Sequence, residues 1–213
     1  VESDLTTPAA IAADLGIDVG EPRLQRLIRV ASDAVTRYLN RTRLHYATAF
    51  VEALAAPPRA VRLVLELTPV VSVASVAIDG VALAAADWSL ESADAGFLYR
   101  SWGWPFTGQV RPGLQYTDPD VGTEQRRITV TYAGGWVTPA QAASAGWAGP
   151  ARSLPYEIEH AAIATAISLW HSGASDARVQ SEALGSYSVT YAAGGGLLPD
   201  AARSLLDPWR RLL

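Results

Sequence analysis

The sequence predicts an α+β fold: a helical unit assembled from the two ends of the chain, with an antiparallel β-subdomain inserted between them. Three observations predict it. Apolar residues recur at helical spacing through Leu24, Leu27, Ile28, Ala31, Val35, Tyr38 and Leu39. Polar and apolar residues alternate from Arg127 through Ile128, Thr129, Val130 and Thr131 to Tyr132, the period of a strand with one buried face. Helical patterning then returns at Leu154. The expected boundaries are 1–44 and 153–213 for the helical unit, and 45–152 for the β-subdomain with its linker.

In chain order, the first helix is expected over Ala9 to Leu15. Thr7 can cap it, Pro8 suits the first turn and Gly16 stops it. Glu21 and Pro22 open the second helix. Arg26, Arg29, Asp33, Arg37 and Arg41 lie opposite its apolar stripe. From about His45 to Val137 the chain reads as β. Strands are expected at Val61 to Leu65, Val71 to Ile78, Val81 to Leu83, Trp88 to Leu90, Phe97 to Tyr99 and Arg127 to Tyr132, with Asp79-Gly80 as a hairpin turn. Ser101 to Gly122 is a loop rich in Gly, Pro and aromatics, and Thr138 to Arg152 reads as a linker with room for one helical turn. A helix with Pro155 in its first turn places Glu157 and Glu159 at the positive end of its dipole and ends before Gly173. A short strand over Tyr187 to Tyr191 and a Gly194–Gly196 turn precede a last helix from Pro199 toward Trp209.

Composition excludes several functions. Hydrophobic residues make up 49% of the 213 and charged residues 18%, which supports a packed core rather than disorder. The net charge of -4 argues against tight binding of nucleic acid through phosphates. All 17 basic residues are arginine. With no cysteine there is no disulfide, thiolate metal site or cysteine nucleophile. No signal peptide is expected in Val1 to Ala13, and no apolar run of about 20 residues is present to cross a membrane.

Candidate chemistry is sparse. His160 and His171 share a helix face but stand roughly 16 Å apart, too far for one metal ion. Glu157 and His160 form a single Glu-x-x-His pair, where di-metal bundles need two pairs and further carboxylates. His171, Ser172, Ser175 and Asp176 crowd one helix end without a nucleophile elbow. Gly194–Gly196 lacks the residues of a phosphate loop. Asp118, Asp120 and Glu124 lack the calcium-loop spacing. Neither an enzyme nor a resident metal or cofactor is expected.

Two features remain open. Tyr99, Trp102, Trp104 and Phe106 either cap the core of the β-subdomain, anchor a protein contact or stack on sugar rings. Arg26, Arg29, Arg37 and Arg41 form a solvated face or pair with acidic groups of a neighbouring subunit, with a DNA contact ranking third.

A set of short blocks follows in a particular order along the chain. Thr7 to Ile17 precedes the helix ending in Arg37-Tyr38-Leu39-Asn40-Arg41. Leu67 to Val73 leads to Val76-Ala77-Ile78-Asp79-Gly80, then Trp104-Pro105, then Ile128 to Trp136. Leu154-Pro155 opens a helix carrying Ala161 and Ala162, and Leu184 to Val189 precedes the terminal helix. Over most of the chain this order resembles the head-tail connector, or adaptor, family of long-tailed phages and related gene-transfer particles. The resemblance implies a structural virion protein of the neck, assembled in the host bacterial cytoplasm. It implies a ring of copies, typically twelve, beneath the portal protein. Such a ring extends the DNA channel without binding DNA specifically, and gives a stopper or tail-terminator protein its docking surface. It also implies a C-terminal helix reaching the portal through Leu205, Leu206, Trp209, Arg210, Arg211 and Leu213, beside Arg203. The alternative for these residues is a helix packed on its own core. Subunit or partner contacts are expected from Arg26, Arg29, Arg37, Arg41, Trp102, Trp104 and Phe106. The competing functions are another neck or tail completion protein, or a carbohydrate-binding module built on the Trp-rich loop.

Overall fold

The computed structural model describes residues 3–107, 127–172, 181–184, 187–190 and 197–211. In chain order the elements are α1 (Pro8–Leu15), α2 (Pro22–Tyr38), β1 (Ala47–Leu54), β2 (Arg62–Val64), β3 (Val70–Ile78), β4 (Val81–Ala82), β5 (Ser89–Ser92), β6 (Phe97–Tyr99), β7 (Ile128–Gly134), α3 (Pro139–Ala142), α4 (Tyr156–Ser172), β8 (Ser181–Leu184), β9 (Tyr187–Thr190) and α5 (Asp200–Leu206). The fold is α+β. The chain divides into two compact units, one of Val1–His45 with Val137–Leu213 and one of Tyr46–Trp136. The acidic cluster Asp118, Asp120 and Glu124, the pair Ser175 and Asp176, the glycines Gly173 and Gly194–Gly196, Tyr191 and Leu213 lie outside the described residues.

In the helical unit the caps act as their residues dictate. Thr7 accepts from the Ala10 amide, and Gly16 ends α1 at φ +65°, a backbone that an L side chain resists. Buried Leu24, Ile28, Ala31, Ala34 and Val35 form one stripe of α2. Ile11 and Ala12 of α1 and Ala166 of α4 close a core with Leu24, Ile28 and Ala31, edged by Ile163, Ile167 and Leu169. The small residues Ala161, Ala162, Thr165 and Ala166 are buried on α4 and let neighbouring helices approach closely. Arg23 donates to the Trp170 carbonyl at 3.2 Å and lies 4.8 Å from the Trp170 ring, a cation at the negative end of α4.

Residues 137–152 group with the helical unit, whereas the sequence pattern places 138–152 as a linker beside the β-subdomain. Local hydrogen bonding explains the difference. Val137 donates to Ser153 Oγ at 3.0 Å, and the Ser153 and Leu154 amides both donate to the Val137 carbonyl. Thr138 and Gln141 form a capping box around α3, and both are buried.

The β unit has two antiparallel sheets, one in the order β1-β7-β3-β4 and one in the order β2-β6-β5. Their inner faces share one core of Leu63, Leu65, Leu67, Val76, Leu98, Ile128, Val130 and Tyr132. Asp79 and Gly80 both take positive φ, the two-residue turn that matches strand twist. Strand β1, not singled out in the sequence, pairs with β7 so that Glu52 lies opposite Val130 and Phe50 opposite Tyr132. The Tyr132 hydroxyl donates to Glu52 Oε2 at 2.6 Å and accepts from the Leu67 amide at 2.9 Å. The same Glu52 oxygen accepts from the Glu66 amide at 3.0 Å. Burial, and then the Glu52 hydrogen bond, hold this phenol well above its ordinary range.

Candidate interaction surfaces

The described residues contain no group of three or more His, Cys, Asp or Glu able to hold a metal ion. No described helix is long and apolar enough to cross a membrane.

The C-terminal segment has two sides. Leu198, Ala202 and Leu206 face inward and are buried, with Leu206 at 0% exposure. Leu206 is thus a core residue in this conformation and is not available to a partner, which corrects its place among the docking candidates. Leu205 and Trp209 are half-buried and line a groove with Ser204, Pro208 and Glu157. The segment is also tied to the end of α2. Tyr38 donates to Asp207 Oδ1 at 2.6 Å, the Arg211 amide donates to the Leu39 carbonyl at 3.1 Å, and Asn40 Nδ2 donates to the Arg211 carbonyl at 3.0 Å. Arg210 lies 5.4 Å from the Tyr38 ring. The hydrogen bond to Asp207 raises the Tyr38 phenol above its ordinary value. A second groove is lined by Ala34, Arg37, Tyr38, Leu197, Leu198 and Arg203.

On α2, Arg26, Arg29 and Arg37 are exposed, while Arg41, just beyond the helix, is half-buried. Burial, and then the charge of Arg211, lower the Arg41 pKa. Arg41 therefore belongs to the packing at the helix end, not to the open face.

The aromatic loop separates its members sharply. Trp104 is 3% exposed; its indole donates to the Val61 carbonyl at 3.2 Å, and its amide donates to the Ala60 carbonyl at 2.6 Å. It caps the core, which corrects its place as a contact candidate and removes the paired platform that Trp102 and Trp104 would offer a sugar. Phe106 is half-buried. Trp102 is 87% exposed at the tip of a turn held by the Gly103 amide on the Arg100 carbonyl and by Arg100 Nη1 on the Gly103 carbonyl.

Two surfaces were missed in the sequence. Tyr156 is 74% exposed, with the Arg152 guanidinium 3.9 Å from its ring and Arg152 paired to Glu159 at 2.5 Å. The outer face of the larger sheet is uncharged along two rows, Val51 opposite Thr131 opposite Ser75, and Ala53 opposite Thr129 opposite Ala77 opposite Ala82. Val51 is 62% exposed there. The signal for this face was the alternation in Phe50-Val51-Glu52-Ala53-Leu54, diluted by alanine.

No protein-family model matches the chain, and no curated protein matches it. Solved structures do. A chain from the neck of a native GTA particle, computed with C12 symmetry, matches at a TM-score of 0.56 and 15% identity, over 100% of this chain and 93% of that one. A chain from the neck of an empty GTA particle, computed with C6 symmetry, matches at a TM-score of 0.56 and 16% identity, over 100% and 94%. This chain shares the fold of a particle-neck protein. The likeness spans both units, so it covers the inserted β unit as well as the helical one.

Proposed function

We propose that the chain is a head-tail connector. In this reading copies form a closed ring beneath a portal protein, extend the DNA channel and offer a surface to a stopper or tail-terminator protein. The observation that carries it is the fold match over the whole chain to proteins of particle necks solved with cyclic symmetry. The order of sequence blocks from Thr7 to Val189 points the same way, and a chain of net charge -4 suits a conduit that lets DNA slide. The neck of a particle assembled in a bacterial host is the location this role requires. The role itself asks for no catalytic residue, metal or cofactor.

The portal contact is assigned to Leu205 and Trp209, with Arg210, Arg211 and Leu213 alongside. Leu205 and Trp209 line an open groove, and interfaces favour Trp and Arg at their centres. Trp102, presented on its fixed turn, is the candidate for a contact with a second neck protein.

Negative-stain microscopy of the chain mixed with the portal protein of its own particle tests the role. A closed ring stacked on the portal is the expected result. No association at any ratio, with the portal intact, contradicts it and shifts the reading to another neck or tail completion protein. The portal contact is tested by Leu205→Asp with Trp209→Ser, not by deleting the last helix, because deletion strips Leu198, Ala202 and Leu206 from the core. A double variant that folds but no longer stacks on the portal is expected; unchanged stacking rejects this assignment.

A further inference from the structure

The helical unit segregates its charge along the chain. Residues 2–21 hold five carboxylates, Glu2, Asp4, Asp14, Asp18 and Glu21, and no arginine. Residues 23–43 hold six arginines and one carboxylate, Asp33. Part of each set serves the unit's own structure. Asp4 is buried and accepts from Gln25 Nε2 at 2.6 Å. Glu21 caps α2, and Arg23 closes the end of α4. What remains is two sets of exposed side chains of opposite charge. Asp14 and Asp18 are exposed on α1 and the turn after it, beside exposed Val19. Asp18 Oδ1 accepts from the Gly20 amide at 2.7 Å, which fixes the carboxylate while leaving its charge in solvent. Arg26, Arg29 and Arg37 are exposed on α2, beside exposed Val30. Their spacing, with Asp33 between, keeps them on one helix face about 16 Å long. Among the described residues, none of Asp14, Asp18, Arg26, Arg29 and Arg37 enters an ion pair.

A cyclic ring needs two different, mutually complementary surfaces on every subunit, because its contacts run head to tail. We propose that these are the two surfaces: the Arg26, Arg29 and Arg37 face of one copy docks on the Asp14 and Asp18 patch of the next. The inference rests on the ring proposed above and names the contact that gives it direction. Arginine forks suit carboxylates in such a contact, and the exposed valine in each patch supplies an apolar point of contact. Isolated surface pairs add little to affinity, but complementary patches across an interface set the register and the rate of encounter. The patches thus decide which way round copies join.

Two variants test this, one with Arg26→Glu, Arg29→Glu and Arg37→Glu, the other with Asp14→Arg and Asp18→Arg. All five positions are exposed, so both variants are expected to keep the circular dichroism and Tm of the wild type. Ring formation is read by negative-stain microscopy and native mass spectrometry, with and without the portal protein. Each variant alone brings like charges together and is expected to need at least about tenfold more protein to form rings. Mixed one to one, they restore opposite charges at every contact and are expected to form alternating rings. Wild-type rings with undiminished rings from either variant overturn the inference and leave the connector reading standing. So does failure of the mixture to recover, the outcome expected if the arginine face meets DNA. Absence of rings from the wild type under all conditions overturns both.

Discussion

The hydroxyl of Tyr132 joins three segments that are distant in sequence: β7, the Glu52 carboxylate of β1 and the Leu67 amide. Tyr132→Phe leaves a buried N–H and a carboxylate short of a partner, and is expected to cost about 1–3 kcal/mol in chemical denaturation. The raised phenol pKa fixes the sign of a pH effect. Below the unfolded value of about 10 the contribution is complete. Above it the unfolded chain sheds the proton and the folded one keeps it, so stability falls as pH rises. The Phe variant is expected to flatten that alkaline slope, leaving the smaller part that the raised Tyr38 phenol supplies; an unchanged slope contradicts the assignment to Tyr132. The two loop tryptophans make a second contrast. Trp104→Ala removes a buried ring and is expected to cost about 3–5 kcal/mol, while Trp102→Ala stays within about 0.5 kcal/mol. Equal losses in thermal or urea melts would contradict the division between core cap and presented side chain. Neither point was legible in the sequence. Alternating aromatics do not reveal which one finds a carbonyl, and no local pattern links Tyr132 to a carboxylate in a different strand.

At the scale of elements, local chemistry decided what could be read. Thr7, Pro8 and Gly16 bracket α1 as expected, and Leu24, Ile28, Ala31, Val35 and Leu39 of the predicted α2 stripe are buried, while Leu27 and Tyr38 are half-buried. Asp79-Gly80 forms its hairpin because both positions tolerate positive φ. Strand β1 was hidden because alanine fits either period; its place in the sheet is set by pairing with β7. The capping box at Thr138 and Gln141 was present in the sequence as Thr-Pro-Ala-Gln, yet its weight shows only once both side chains are buried. Thr138→Ala is expected to cost about 1 kcal/mol, read from the urea midpoint. On α5, Leu206→Ala is expected to cost about 2–5 kcal/mol and Leu205→Ala less, since one side chain fills the core and the other lines a groove. A reversed order would mean that the segment packs on its other face.

For the whole molecule, the sequence supplied the plan and the fold comparison supplied its context. Helical patterning lies at both ends of the chain with β patterning between them; the structure has a helical unit of two chain segments and a β unit of one. The order of weak sequence blocks resembled a connector, and the fold match to particle-neck chains spans the same length. What the sequence lacked was depth. It could not separate Trp102 from Trp104, or Leu205 from Leu206, and those distinctions decide which residues can meet a partner. The proposed role makes the chain one repeat of a ring, so its use lies in surfaces that a single copy leaves open. Cryo-electron microscopy of the wild-type chain bound to the portal protein of its particle, averaged without imposed symmetry, tests that most directly. The account predicts one closed ring of cyclic symmetry, coaxial with the portal, whose density is filled by repeats of this two-unit fold. A chain that leaves the portal bare, or binds it as scattered single copies without closing, contradicts the account.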